Sequence, residues 1–174
     1  MAKVLLIDDD AGLREVVAFI LGEAGHEVLA AADGEEGLRR LTADRPDLVL
    51  TDIRMPGRDG LDVLQQVRAA PDAPPVIVLT AFGSVEQAVE AMKAGAFSYL
   101  LKPFKRDELR LTVEKALRGR ELEAENRRLR DLLRQRRDAL PIVYASAAME
   151  RVVEQVRRVA PVDVSVLVTG ESGT

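Results

Sequence analysis

The stretch Val4-Leu5-Leu6-Ile7-Asp8-Asp9-Asp10 decides how the rest of the chain is interpreted. Four consecutive apolar residues without polar alternation are typical of a parallel strand that is buried on both faces. Three aspartates follow directly, at the point where such a strand gives way to its connecting helix. The stretch therefore predicts an interior strand whose carboxyl end carries several acidic side chains.

Similar apolar runs recur through the first hundred residues, and helical patterns separate them. The runs lie at residues 28–31, 48–50, 76–79 and 97–101, and the helical patterns at residues 13–21, 35–43, 61–70 and 85–94. Gly25 and Gly95 stand where two helices should end, and Ser84 with Gln87 forms a capping-box signature. Strands that alternate with helices predict right-handed crossovers and an α/β fold with a doubly wound parallel sheet.

Polar residues that are far apart in the sequence stand at the ends of these strands. Asp8 and Asp9 follow the first strand, Asp52 follows the third, Thr80 ends the fourth and Lys102 follows the fifth. The carboxyl ends of parallel strands share one edge of an open sheet, where ligands commonly bind. We therefore expect these five residues to converge on one small site.

Each acidic or polar residue also has an ordinary structural explanation. Asp10 fits a helix N-cap, and Asp52 could cap a turn that contains Gly57 and Gly60. Thr80 could be β-branched filler of a strand, and Lys102 a surface lysine. A functional site explains all of these positions together and is the favoured interpretation.

The chemistry of this set suits phosphoryl transfer that is assisted by a hard cation. Crowded carboxylates repel one another unless a cation lies among them, and Mg²⁺ prefers oxygen ligands. Asp8, Asp9 and Asp52 supply such oxygens, and a carboxylate can act as a nucleophile that becomes an aspartyl phosphate. Lys102 would bind phosphoryl oxygens as a point charge, and the Thr80 hydroxyl would donate a hydrogen bond.

The composition excludes several other classes of protein. The chain has 174 residues, of which 47% are hydrophobic, and its net charge is −4, which argues against one broad basic nucleic-acid surface. It contains no cysteine, so disulfides and thiolate metal sites are excluded. No apolar run is long enough for a membrane span, and no signal-peptide pattern is present. We expect a soluble, cytoplasmic protein without membrane contact.

A further helix is predicted from about residue 105 to about residue 137. The first part of this helix can pack on the sheet. After Gly119, a 4-3-4 spacing begins that consists of three leucines and one asparagine: Leu122, Asn126, Leu129 and Leu133. This spacing is typical of a short coiled-coil seam in which a buried Asn favours two strands. We therefore expect a homodimerisation linker, although a solvated helix would explain the same residues.

Residues 139–141 (Ala-Leu-Pro) end that helix, and a new unit follows. The apolar positions between residues 149 and 159 predict an amphipathic helix, and residues 164–168 predict a buried strand that runs into residues 170–174. The expected organisation is a first domain at 1–118, a helical linker at 119–138 and a further domain fragment at 139–174.

The strand-end motifs strongly resemble those of bacterial two-component response-regulator receiver domains. The matching stretches are 5–10 (LLIDDD), 51–57 (TDIRMPG), 59–60 (DG), 79–81 (LTA) and 101–104 (LKPF), within about residues 3–118. The resemblance implies a flavodoxin-like five-stranded sheet in the order 2-1-3-4-5. It also implies phosphorylation by a sensor histidine kinase and readout through the face formed by the fourth helix, fifth strand and fifth helix.

The same resemblance assigns roles to individual residues. It implies that Asp52 accepts the phosphoryl group, and that Asp8, Asp9 and the backbone carbonyl of Arg54 join it as Mg²⁺ ligands. Tyr99 corresponds to an aromatic switch whose ring turns inward when Thr80 moves. The Lys102–Pro103 bond corresponds to a bond that is usually cis, and Arg54 and Phe82 correspond to positions that tune the phosphoryl lifetime.

The end of the chain resembles the start of the ATPase domain of NtrC-like activators of sigma-54 RNA polymerase. A phosphate-binding loop needs the pattern G-x-x-x-x-G-K-[ST], and here only a partial loop with Gly170 and Gly173 is present. We expect no nucleotide binding and no enzymatic activity from this chain. Contacts with DNA and sigma-54 RNA polymerase would belong to domains that are absent here.

Two other functions deserve comparison with a signalling switch. Asp8-x-Asp10 is similar to the motif of haloacid-dehalogenase-type phosphohydrolases, but Gly12 stands where those have Thr or Val, and Asp9 stays unexplained. The arginines of residues 127–137 could bind nucleic acid, but they alternate with leucine and are balanced by nearby acids, as in a solvated helix face. His26, the one histidine, is assigned no role.

Overall fold

The computed structural model describes residues 1–70, 72–81, 85–138, 145–163 and 165–170. The chain divides into two compact units, Met1–Arg127 and Arg128–Thr174. The strands are β1 (Lys3–Ile7), β2 (Glu27–Ala31), β3 (Leu48–Asp52), β4 (Val76–Ala81) and β5 (Ser98–Lys102). The helices are α1 (Ala11–Glu23), α2 (Gly34–Asp44), α3 (Gly60–Arg68), α4 (Val85–Lys93), α5 (Arg106–Asp138) and α6 (Ala147–Val159).

The five strands form one parallel sheet in the order β2-β1-β3-β4-β5. This confirms both the doubly wound α/β fold and the strand order that the resemblance implied. Asp52 pairs with Leu79, and Ala81 pairs with Lys102, so the carboxyl ends of β3, β4 and β5 stand at one edge. The register therefore places the polar strand ends side by side.

Two apolar clusters lie on opposite faces of the sheet, because successive side chains of a strand point in opposite directions. In β1, Val4 and Leu6 belong to one cluster, and Leu5 and Ile7 belong to the other. Helices α1 and α5 cover the first face, and α5 contributes Leu109, Val113 and Ala116, which confirms that the first part of this helix packs on the sheet. Burial on both faces explains why the inner strands β1, β3 and β4 read as mostly continuous apolar runs.

The helix ends follow the local chemistry of the sequence. Asp10 caps α1 by accepting a hydrogen bond from the Leu13 N–H at 3.1 Å, as predicted. Gly25 and Gly95 adopt positive φ values of 83° and 95° just after α1 and α4, which suits glycine. The expected capping box begins at Ser84, which lies outside the described residues.

The second unit contains one confirmed element and one correction. Helix α6 forms where the amphipathic pattern predicted it, and Ser146 caps it through the Met149 N–H at 3.2 Å. The predicted strand at residues 164–168 is wrong for residues 165–168, which do not form a strand, and Leu167 is 87% exposed. An apolar run forms a strand only when a neighbouring strand completes its hydrogen bonds, and this run pairs with none in the described part of the chain.

The predicted linker helix is continuous with the last helix of the sheet. Helix α5 runs without interruption to Asp138, and its linker leucines, Leu122, Leu129 and Leu133, are more than half exposed. Asn126 is exposed as well. Among the described helices, none is both long enough and apolar enough to cross a membrane.

Candidate functional site

Three carboxylates gather at the carboxyl edge of the sheet. Asp8, which follows β1, is fully buried, and Asp52, the last residue of β3, is 8% exposed. Asp9 is exposed, and one oxygen of each of the three carboxylates lies within 4.8 Å of the others. The structure thus brings together the three acids that the sequence singled out.

The Lys102 ammonium group joins the two buried carboxylates. Its Nζ donates to Asp8 Oδ2 at 2.7 Å and to Asp52 Oδ2 at 2.6 Å. The lysine stands at the end of β5, and a cis bond connects it to Pro103, as the resemblance implied. Ion pairs of this length between partly buried groups are strong, but removing the charged groups from water carries a large free-energy cost. In the described part of the chain, the Lys102 ammonium group contacts two of the three carboxylates, and its single positive charge leaves the cluster with excess negative charge.

Burial and charge act in opposite directions on these groups. Burial raises the pKa of Asp8 above its ordinary value, although the hydrogen bonds from Lys102 and from the Asp10 N–H lower it. For Lys102, burial lowers the pKa, but the hydrogen bonds and charges of Asp52 and Asp8 outweigh this effect and raise it. The lysine is therefore firmly cationic, whereas the buried Asp8 carboxylate depends on nearby positive charge to stay ionised.

The loop after β1 is held by several hydrogen bonds. The Asp10 N–H donates to Asp8 Oδ1 at 3.0 Å, and the Arg14 guanidinium donates through Nη1 to the Asp8 backbone carbonyl at 2.6 Å. The Asp8 N–H donates to the Ala31 carbonyl at 3.2 Å. These contacts fix the backbone that carries the acidic residues.

The loop after β3 approaches Asp52 closely. The Arg54 N–H donates to Asp52 Oδ1 at 3.3 Å, and the Gly60 N–H donates to the Ile53 carbonyl at 2.9 Å. A Cβ atom on Gly60 would lie 1.9 Å from the Asp52 backbone oxygen, and Gly57 turns the loop at a φ of 82°. Glycine is needed at residue 60 because the backbone passes too close to Asp52 for any side chain.

The two residues expected to form a switch lie on neighbouring strands. Thr80 is buried and directly follows Leu79, the β4 residue that pairs with Asp52. Tyr99 stands on β5, pairs with Val78, and is 43% exposed. Phe82, which was assigned an influence on phosphoryl lifetime, lies outside the described residues.

The carboxylate cluster fits a hard divalent cation. All of its donors are oxygens, and one Lys102 ammonium group leaves the charge of three carboxylates incompletely neutralised. Mg²⁺ binds such sites through one or two carboxylates while it keeps several waters, and the exposed Asp9 leaves one side of the cluster open to water. Asp8, Asp9 and Asp52 could therefore hold a metal ion.

A cavity lies at the opposite, amino-terminal edge of the sheet. Its volume is about 630 Å³, and its lining mixes acids such as Asp47 and Glu114 with Arg118, Arg120 and His26. Burial, and then the positive chain terminus, lower the pKa of His26, whose Nδ1 is buried without a hydrogen-bond partner in the described part of the chain. The mixed charges and the distance from the acidic cluster give this cavity no recognisable chemistry.

Arg14 and Gly60 were not identified as site residues from the sequence. The signal for Gly60 was its place directly after the N-cap Asp59, at the first residue of α3, where helical geometry alone does not call for glycine. Arg14 offered no signal, because an arginine on the first turns of a helix is ordinary. Of the nucleotide-loop fragment, Gly170 lies in the second unit, and Gly173 lies outside the described residues.

Comparison with known proteins identifies the class. The family model described as the response regulator receiver domain matches residues 4–114. A crystal structure of a response regulator receiver domain protein from Clostridium thermocellum is 38% identical, with a TM-score of 0.66, over 70% of this chain and 98% of that one. The chain belongs to the response regulator receiver domain family.

Longer relatives extend the similarity beyond the receiver. The transcriptional regulatory protein GlrR of Escherichia coli (strain K12) is 40% identical over 173 residues, which are 99% of this chain and 37% of GlrR. A crystal structure of NtrX from Brucella abortus is 35% identical, with a TM-score of 0.71, over 99% of this chain and 38% of that one. The chain thus spans less than two fifths of the length of these relatives, which confirm the resemblance to NtrC-like regulators.

Proposed function

We propose that this receiver accepts a phosphoryl group on Asp52 from a phosphohistidine of a sensor histidine kinase, in a reaction that depends on Mg²⁺. The contact of Lys102 Nζ with both Asp8 and Asp52 carries this proposal, because it gathers a nucleophile, a metal ligand and a phosphoryl-binding cation within hydrogen-bonding distance. Sensor kinases are the phosphodonors that the family resemblance implies.

The transfer step assigns a distinct task to each side chain. An Asp52 carboxylate oxygen attacks phosphorus, the N–P bond of the donor breaks, and the histidine nitrogen leaves with the bonding electrons. Lys102 releases its bond to Asp52 and binds a phosphoryl oxygen, while the Thr80 hydroxyl donates to another. Mg²⁺, when it is bound by Asp8, Asp9, Asp52 and the Arg54 carbonyl, offsets the repulsion between the carboxylate and the incoming phosphoryl group.

The phosphorylated state would be read out through the β4–β5 side of the domain. A shift of Thr80 toward the phosphoryl group would vacate space into which the Tyr99 ring can turn. The partial exposure of Tyr99 supports this role, because a ring at the surface has a second position available at modest cost.

A second copy of the chain would be the partner of this readout. The exposed row formed by Leu122, Asn126, Leu129 and Leu133 supports homodimerisation through α5, and an exposed apolar seam favours burial against an identical helix. The face formed by α4, β5 and α5 is an alternative homodimer surface. In the intact regulator, the phosphorylation of Asp52 would control a sigma-54 activator ATPase through this pairing, and that ATPase would contact sigma-54 RNA polymerase.

Phosphorylation of the purified chain tests the proposal. Wild type and Asp52→Asn would be incubated with acetyl phosphate, with Mg²⁺ or with EDTA, and their intact masses measured. We expect one phosphoryl addition in wild type with Mg²⁺ and none in the other three samples. The same addition in Asp52→Asn, or in wild type with EDTA, would contradict the proposed acceptor or the metal requirement.

A further inference from the structure

The Arg14 side chain reaches from α1 back to the end of β1. Its Nη1 donates to the Asp8 carbonyl at 2.6 Å. The ladder of β1 ends at Ile7, and the first backbone bond of α1 runs from the Arg14 N–H to the Asp10 carbonyl. The Asp8 carbonyl therefore belongs to neither the sheet nor the helix. Within the described part of the chain, Arg14 is its hydrogen-bond donor.

Such a carbonyl needs a partner, because Asp8 is fully buried. A buried backbone oxygen without a donor is costly, and the loop would rotate or admit water to satisfy it. The peptide unit that bears this oxygen leads directly into Asp9, so a rotation there would redirect the exposed carboxylate. It would also disturb the bond from the Asp10 N–H to Asp8 Oδ1.

We propose that Arg14 is a positioning residue for the metal pair: its hydrogen bond to the Asp8 carbonyl holds the loop that presents the Asp8 and Asp9 carboxylates to Mg²⁺. The inference rests on the proposed function, because it concerns the affinity of that metal site. Groups that orient metal ligands from outside the coordination sphere commonly change metal affinity by about 10- to 100-fold.

The positive charge of Arg14 and its hydrogen bond predict opposite changes in Mg²⁺ affinity when Arg14 is replaced. A guanidinium beside an acidic cluster repels a divalent cation, so the charge alone predicts that Mg²⁺ binds more tightly when Arg14 is removed. The anchoring hydrogen bond predicts the opposite, because the ligands lose their alignment. The direction of the change in Mg²⁺ affinity therefore separates an anchor from a simple surface charge.

The experiment compares three variants of the full chain with wild type. Arg14→Met removes both bond and charge, Arg14→Lys keeps the charge and a donor, and Arg39→Met makes the same change at an exposed position of α2. Mg²⁺ dissociation constants would be measured by calorimetric titration. We expect Arg14→Met to weaken Mg²⁺ binding by about 10-fold, Arg14→Lys to recover part of the loss, and Arg39→Met to match wild type.

Amide hydrogen exchange without metal supplies an independent readout. In Mg²⁺-free protein, Arg14→Met should lower the protection of the Asp10 N–H, and Arg39→Met should leave it unchanged, with both variants still unfolding cooperatively in urea. Tighter or equal Mg²⁺ binding by Arg14→Met, or unchanged Asp10 protection, would overturn the proposal. A wild type that binds no Mg²⁺ would instead refute the proposed function, so the two failures are distinguishable.

Discussion

The two edges of the sheet both hold carboxylates and cations, but they balance them differently. At the amino-terminal edge, Asp47 accepts from the Lys3 N–H at 2.9 Å and from Arg120 Nη1 at 3.0 Å, and Arg120 also donates to the Pro46 carbonyl at 3.2 Å. One acid there meets two donors. At the carboxyl edge, two buried acids share one lysine, and a third acid stands beside them.

The difference separates a structural contact from a binding site. The Asp47–Arg120 pair is partly exposed, and its charges balance each other. The pair attaches α5 to the loop before β3 and needs no ligand. The acidic cluster is incompletely neutralised, and Asp9 is its exposed member. Uncompensated negative charge in a largely buried cluster favours the binding of a cation.

The largest effect is expected at Lys102. Replacement by Met leaves the Asp8 and Asp52 carboxylates without their shared cation and removes the group that would bind the phosphoryl oxygens. We expect the rate of phosphorylation by acetyl phosphate at saturating Mg²⁺ to fall by about 100-fold or more, measured by intact mass against time. Lys93→Met, at an exposed position near the end of α4, is the control and should react like wild type. Equal rates in the two variants would remove Lys102 from the mechanism.

The next effect is expected from the close approach at Gly60. Gly60→Ala would place a methyl group 1.9 Å from the Asp52 backbone oxygen, so the loop after β3 must move. We expect a loss of about 2 kcal/mol or more in the free energy of unfolding, measured with urea. The matched change Gly22→Ala in α1 meets no atom within 4 Å and should stabilise by up to about 1 kcal/mol. Similar values for both variants would show that the loop tolerates the contact.

A smaller effect is expected at the amino-terminal edge. A double-mutant cycle with Asp47→Asn and Arg120→Met should give a coupling free energy of about 0.5–1 kcal/mol, because both side chains are partly exposed. Neither change should alter Mg²⁺ affinity. A change in Mg²⁺ affinity from either substitution would mean that the two edges are not independent.

The smallest effect on stability is expected at Glu36, a carboxylate near the carboxyl edge that already accepts hydrogen bonds from within the protein. The hydrogen bond from the Ala32 N–H, and then the bond from Arg40, lower its pKa. Because the pKa of Glu36 is lower in the folded state, the ionised carboxylate contributes fully to the free energy of unfolding above the unfolded pKa. This contribution is lost as the pH falls through the folded pKa. Glu36→Gln should therefore cost less than about 1 kcal/mol near pH 7, and this cost should shrink as the pH falls below the unfolded pKa and through the lowered folded pKa, by urea unfolding. A constant difference across this range would assign the effect to packing.

Local pattern predicted the inner strands β1, β3 and β4 because they are buried on both faces, and the convergence of Asp8, Asp52 and Lys102 follows from parallel pairing. The strand expected at residues 164–168 does not form at residues 165–168, because strand pairing depends on partners elsewhere in the chain. The contacts of Gly60 with Asp52, and of Arg120 with Asp47, join segments whose approach only the folded backbone defines. Residue types at strand ends are thus predictable, whereas the groups that hold their backbone are not.

Mg²⁺ binding to two matched variants tests whether the metal site lies at the carboxyl edge of the sheet. Asp9→Asn and Asp47→Asn make the same chemical change at opposite edges of one sheet, and calorimetric titration would give the stoichiometry and dissociation constant for each. We expect one Mg²⁺ per chain for wild type and Asp47→Asn with equal affinity, and binding weakened by about 10-fold or more for Asp9→Asn. Equal affinity in Asp9→Asn and Asp47→Asn, or weaker binding only in Asp47→Asn, would contradict this location of the metal site.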